Sequence, residues 1–323
     1  TPLRPRAPRF PSKNVVRLEV TVDEEKAPHL LKRLTRRLKT VRLSAWMFVA
    51  PALVLLAVFL VYPSLSTLYL SFFDRTSAQF VGLDNYVHLF TSSETLIVFR
   101  NNLLWLTLFT GVSVIMGLVL AVLTNLVRYE AVAKALIFVP MAVSFTAAAV
   151  IWRFMYIYRP PGFTQTGVVN AIFTSLGGDP IPWIQDTGVN NFALIVAGIW
   201  MWTGFAMIVL SAGLKGIPAE VLEAARVDGA NEWQVFRRII FPMLRPVVVV
   251  VAVTLTINAL KVFDLVYVMT FGNYNTDVIA NRMFKEMFTF GNFGRASAIA
   301  VVLLITIVPI MLLNIRRFRR EAT

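Results

Sequence analysis

Long apolar runs alternate with short polar intervals rich in Gly and Pro along this chain. Six runs approach the roughly 20 residues that a helix needs to cross a bilayer at about 1.5 Å rise per residue: 44–62, 102–127, 135–152, 192–214, 247–270 and 296–315. Hydrocarbon offers no hydrogen bonds, so a spanning segment must satisfy its backbone internally. Helices are therefore expected throughout, even over the valine run 247–251, whose local preference is for strand. The first run begins too far into the chain, with no small-residue cleavage site after Tyr62-Pro63, to read as a removable signal peptide. The pattern predicts an all-α integral membrane protein, with a first transmembrane helix within 44–73 and five more between 100 and 316.

Charge adds the orientation. Counted on alternate sides of the six runs, 23 Lys and Arg fall on one side and eight on the other, so both termini are expected in the cytoplasm and the chain in the cytoplasmic membrane as a multi-pass protein. Residues 1–28, rich in Pro and charge, read as a disordered cytoplasmic arm. Over 29–43, Leu30, Leu34, Leu38 and Val41 recur at helical spacing among Lys and Arg. That pattern fits a basic helix on the membrane surface and equally a plain positive-inside flank. Residues 316–323 form a basic cytoplasmic tail.

Composition narrows the chemistry. The chain is 57% hydrophobic and 15% charged, has no Cys and has only His29 and His88, which leaves no thiolate or histidine cluster for a metal. The net charge of +13 flanks apolar runs rather than forming one basic face, so nucleic acid is not an expected partner and the lipid bilayer is. The loops 74–101 and 153–191 carry Gly, Pro, Asn and aromatic residues, suited to ordered turns that either connect spans or receive an outside partner.

The interval 215–246 is too polar to span. Pro218 suits the start of a helix, Glu220 and Glu223 sit near its positive end, and Asp228-Gly229 supplies a stop. A second amphipathic stretch, 231–241, has Asn231 as its N-cap and Pro242 as its expected end. Ala224, Ala225, Gly229 and Ala230 permit close approach of another surface, and Glu223 and Asp228 offer charge at its rim.

Glu223-Ala-Ala-x-x-Asp-Gly-Ala230, followed by Trp233, Phe236, Ile239, Pro242 and Pro246, resembles the EAA signature of binding-protein-dependent ABC importer permeases over its full length. The resemblance implies a type I importer permease core with a cytoplasmic coupling helix near 219–229. That helix would seat in an ATPase subunit through Glu220, Glu223, Ala224, Ala225, Asp228, Gly229 and Ala230. It also implies a second EAA-type permease, two ATPase subunits and an extracytoplasmic sugar-binding protein as partners. ATP and Mg would be bound by the ATPases and no cofactor by this chain, which has no Gly-x-x-x-x-Gly-Lys-Ser/Thr loop of its own. The chain is accordingly expected to be non-catalytic.

Further segments are similar to the carbohydrate branch of that family, in particular to the larger maltose-importer permease: Trp46-Met-Phe-Val-Ala-Pro51, Gly82-Leu-x-Asn-Tyr86, Asn101-Asn102 and Phe263-Asp-Leu-Val-Tyr267. Ile151-Trp-Arg-Phe154 and Pro182-Trp183 look most like α-glucoside permeases. By register, Met201, Trp202, Phe205, Leu255 and Ala259 match sugar-contacting positions there. Leu255 and Ala259 replace polar residues, which shifts the expected contacts to Asn258, Asp264 or the partner permease. Plainer roles are open as well: Trp200 and Trp202 as interfacial tryptophans, Asn258 as interhelical glue, and Asp264 as a wet carboxylate or one partnered by Lys261 one turn before it. An ion-coupled transporter, a channel or a membrane enzyme would leave residues 223–246 without a role.

Overall fold

The structure, a computed structural model, describes residues 46–321, with side chains to residue 312. The expected arm 1–28 and the basic helix 29–43 lie outside the described residues. The chain divides into two compact units, 1–63 and 64–323.

Among the described residues the secondary structure is helical apart from one isolated bridge, Phe73 to Phe80. The helices are α1 (Trp46–Leu70), α2 (Asp84–Thr91), α3 (Ser93–Leu126), α4 (Glu130–Ala142), α5 (Phe145–Met155) and α6 (Val168–Ser175). They continue with α7 (Asn190–Lys215), α8 (Ala219–Val227), α9 (Glu232–Leu260), α10 (Asp264–Thr270), α11 (Ile279–Phe284) and α12 (Phe293–Glu321). Five of these, α1, α3, α7, α9 and α12, are long and apolar enough to cross a membrane, and α4 with α5 makes a sixth span bent by 97°.

The bend corrects the expectation of one straight helix over 135–152. Pro140 cannot donate to the helix ladder. Two residues past its end, Ser144 turns extended (φ −62, ψ 147) and its side chain accepts from the Ala147 N–H, so the chain starts a new helix in a new direction. The fifth span is corrected at both ends. It begins at Glu232, because Pro242 does not end the preceding amphipathic stretch: a π-turn over Phe236–Ile240 carries the Phe241 N–H to the Phe236 carbonyl. The extra residue makes room for the proline ring. The span stops at Leu260. Lys261 and Phe263 leave helical geometry, the latter at φ −140 and ψ −63, and α10 is a separate helix. The last helix keeps its backbone to Glu321, through most of the expected tail.

Small residues set the packing. Association of helices in lipid depends on close van der Waals contact rather than on expulsion of water. A Cβ on Gly117 of α3 would lie 2.5 Å from the Ala206 Cβ of α7, and one on Gly204 of α7 would lie 2.5 Å from the Ile137 carbonyl oxygen of α4. The most buried of the spans, α7, is thus flanked by α3 and α4 at backbone distance.

Where α10 meets α11, the chain crosses 271–278 with Phe271, Gly272, Tyr274 and Asn275 all at positive φ. Side chains from two spans take up the irregular backbone. Asn101 of α3 donates to the carbonyls of Asn275 (2.7 Å) and Asp277 (2.8 Å), and Asn190 of α7 donates to that of Tyr274 (2.7 Å). Asn102 accepts from the Ile279 N–H at 2.7 Å. Asn191 donates to Asn275 at 3.3 Å.

Two outcomes are expected. Asn101→Leu, which leaves the buried Asp277 carbonyl without its donor and the Asn275 carbonyl with Asn191 alone, should destabilise the purified chain by about 1–3 kcal/mol, read as an earlier thermal midpoint in detergent. Gly204→Val should sharply reduce the yield of folded protein in size-exclusion profiles. Gly111→Ala, where a Cβ meets nothing within 4 Å, should not.

Candidate functional site

Two features concentrate the residues singled out by sequence. The first is α8 and its exits. Pro218 precedes the helix with an extended ψ of 132, and Glu220 lies in its first turn, where an anionic side chain meets the positive end of the helix dipole. At the far end the Gly229 N–H donates to the Arg226 carbonyl (3.0 Å) and the Ala230 N–H to that of Ala225 (3.0 Å), with Gly229 at φ +80. These are the paired bonds of a Schellman stop, and they require the left-handed residue. The next helix begins at once: Asn231 accepts from the Gln234 N–H while the Gln234 side chain accepts from the Asn231 N–H, both at 2.9 Å. That capping box satisfies two end groups reciprocally.

Arg226 reaches back across this corner to both carboxylate oxygens of Glu232, at 2.8 and 3.3 Å. The same bond raises the guanidinium above its ordinary value, so it stays charged. Glu220, Glu223, Ala224, Asp228 and Gly229 are exposed, while Ala225 and Ala230 are half-buried. Val227 and Trp233 beside them are 88% and 67% exposed, large apolar side chains standing on a fixed backbone. Val227 was not singled out by sequence. Its signal is an apolar residue just before the Asp-Gly stop, on a helix with no buried face.

The second feature is a cavity of about 180 Å³ between α3, α5, α7 and the break that follows α9. Aromatic groups form most of its wall: Trp105, Phe109, Phe145, Trp202 and Phe263. Phe145 stacks against Trp202 with centroids 6.1 Å apart and planes 27° from parallel, and Phe205 meets Trp202 edge-on at 5.6 Å. Polar groups enter from one direction, as Asn258, Lys261 and Asp264. The Asn258 amide donates to the Thr254 carbonyl at 2.9 Å. Trp105 is 1% exposed, and its indole N–H has no hydrogen-bond partner among the described residues.

Of the residues expected on a solute path, Trp202, Asn258, Ala259 and Asp264 line this cavity. Phe205 stands behind Trp202, and Met201 and Leu255 are buried in the core at 2% and 0% exposure without reaching the lining. Trp200 turns to Trp152, ring edge to face at 5.8 Å. The expected pairing of Lys261 with Asp264 does not form among the described ion pairs. The i, i+3 spacing holds only within a helix, and the chain is non-helical from Lys261 to Phe263. Trp105, Phe109, Phe145 and Lys261 reach the cavity by tertiary packing or by the helix break, and no local pattern announces them. Among the described residues no three His, Cys, Asp or Glu gather as a metal site. Flat apolar faces opposite a carboxylate and an amide are the equipment for a polar, ring-shaped solute with hydroxyl groups.

Residues 113–320 match the family described as binding-protein-dependent transport system inner membrane component. The chain is 58% identical to the osmoprotective compounds uptake permease protein GgtC of Synechocystis sp., over 85% of this chain and 99% of that one. It is 49% identical to the alpha-glucoside transport system permease protein AglF of Rhizobium meliloti, over 86% and 83%. With the trehalose/maltose transport system permease protein MalF of Thermococcus litoralis it shares 31% identity over 85% and 94%. Its fold is similar to a subunit in the crystal structure of a bacterial ABC transporter that imports alginate, with TM-score 0.73, 24% identity, 90% of this chain and 100% of that one. With its apolar spans, the family match over residues 113–320 and relatives matched over most of their length, the chain belongs to the inner membrane components of binding-protein-dependent transport systems, the permease subunits of ABC importers.

Proposed function

We propose that this permease carries a neutral sugar or sugar-like polyol into the cell, with an α-glucoside as the leading class of solute. The cavity carries the reading: stacked aromatic faces with one carboxylate, Asp264, one ammonium, Lys261, and one amide, Asn258. Its volume of 180 Å³ is on the scale of one sugar ring, so a longer solute would extend into a partner subunit. The balance of one negative and one positive group suits an uncharged solute better than an acidic polysaccharide. The relatives named for alpha-glucoside and trehalose/maltose transport support the same class.

In this reading the chain forms half of the path beside a second EAA-type permease. Two ATPase subunits, which bind ATP and Mg, take α8 into their surface, and an extracytoplasmic binding protein delivers the solute. Both termini and α8 face the cytoplasm, as the distribution of Lys and Arg favours. The corner at 228–234 supports the docking role, because its two helix ends are satisfied locally and leave the apolar side chains free for a partner. Closure of the ATPases would then tilt the two permeases between states that open to either side.

Glu223→Ala and Gly229→Pro should each abolish uptake and solute-stimulated ATP hydrolysis while the chain still inserts into the membrane. Proline at 229 cannot adopt φ +80. Normal uptake by both variants, assayed in proteoliposomes with the partner subunits, would remove α8 from the coupling. At the cavity, Asp264→Asn should raise the KM for α-glucoside uptake by about 10-fold or more, as loss of a hydrogen bond to a charged group predicts. An unchanged KM across a panel of sugars refutes the cavity assignment.

A further inference from the structure

Where α3, α4 and α7 end together beside the coupling segment, a set of polar side chains ties them. Lys134 of α4 donates to the Asn125 side chain of α3 at 2.8 Å, to the Ser211 hydroxyl of α7, and to Glu130 one turn earlier on its own helix. Ser211 donates to Asn125 at 2.8 Å. Glu130 also takes the ammonium of Lys215, the last residue of α7, at 2.6 Å, and α8 begins four residues later. The Lys134 side chain is only 17% exposed. A charge held there needs its partners, and it has one on each of three helices.

The other end of α4 leads to the cavity. Past Lys134 the helix crosses α7 where the Ile137 carbonyl and the Phe138 backbone lie against Gly204, so closely that a Cβ on that glycine would sit 2.5 to 2.9 Å from them. It ends at Ala142, and after the 97° bend the first residue of α5 is Phe145, stacked on Trp202 in the cavity wall. The thirteen residues of α4 make a stiff arm about 20 Å long, with a crossing point in its second half. One end is tied to the root of the coupling segment and the other continues into the wall of the solute cavity.

We infer that Lys134 is a positioning residue for transport, fastening α4 to the end of α7 so that a displacement of α8 is delivered to Phe145 and the cavity. The inference rests on the reading of α8 as the ATPase-docking helix. The break at 143–144 is its hinge: two short helices meet there without a continuous ladder, so that a shift of α4 carries the start of α5 with it while a few dihedrals let the angle between them change. Glu130 orients the tie by holding Lys134 and Lys215 with one carboxylate. Ser211 and Asn125 bond to each other as well as to Lys134, and Glu130 keeps Lys215 if Lys134 is lost, although that pair, with Lys215 58% exposed, is a weak link between α4 and α7 by itself. Removal of the ammonium therefore leaves those groups partnered.

The test uses the complete importer, with its ATPases and binding protein, in proteoliposomes. Lys134→Met should assemble and hydrolyse ATP at the basal rate, with the melting temperature of the purified chain within a few degrees of the parent, yet solute moved per ATP should fall about tenfold. Lys134→Arg, which keeps the charge and the donors, should recover most of that ratio. An unchanged ratio in Lys134→Met overturns the inference. So does a variant whose melting temperature, assembly and uptake fall together with the ratio intact, because a purely structural role behaves that way. Glu223→Ala run in parallel separates the two ideas. If it transports as the parent does, the docking role of α8 fails; if it does not transport while Lys134→Met couples normally, only the tie fails.

Discussion

A backbone that leaves the helix where it is packed against other elements needs partners for its carbonyls and N–H groups, and across 271–279 four asparagines supply several of them. Asn101 and Asn102 on α3, with Asn190 and Asn191 on α7, hold the 271–279 crossing by its own peptide groups. Within the crossing Gly272 has no room for a side chain, since a Cβ would press on Asp277 and Asn281 at 2.5 to 2.6 Å. That anchorage fixes α10, and α10 fixes the break at 261–263 from which Lys261 and Asp264 enter the cavity. The position of the polar groups in the cavity thus depends on contacts made at the start of α7 and on α3 one turn before Trp105 of the aromatic wall.

The corner at 226–234 achieves rigidity by different means. It has almost no buried side chains, Val235 excepted, and is defined instead by hydrogen bonds at helix ends: the Schellman stop after α8, the capping box before α9 and the bidentate pair Arg226 with Glu232. A surface built this way can remain hydrophobic where it is exposed, since its shape does not depend on burying Val227 or Trp233. Core packing would have used those side chains internally.

Much of this was legible from the amino-acid order. Runs of apolar residues located the six spans, and Asp228-Gly229-Ala-Asn231 encoded both the stop after α8 and the restart at α9, because caps are local chemistry. The limits of the reading fall where the outcome depends on distant groups. Pro140 and Ser144 were visible, yet an apolar run through them looked continuous, since hydropathy carries no direction. Pro242 suggested an end that the π-turn circumvents. In the cavity, Trp202, Asn258 and Asp264 were found by residue type on two adjacent spans, whereas Phe145 and Trp105 arrive through the bend of one span and the packing of another. Met201 and Leu255, one or a few positions from lining residues, point into the core instead.

The π-turn at Phe236–Ile240 places one residue more in α9 than a regular ladder would hold. Each residue of an α-helix advances the side-chain direction by about 100°, so the stretch before the turn and the stretch after it are out of phase by that amount. The face that Trp233 presents beside α8 and the face that carries Asn258 toward the cavity are consequently set apart from each other. Loss of a single residue within the turn would restore an even ladder, and it would also swing the whole corner at 226–234 around the helix axis relative to the cavity.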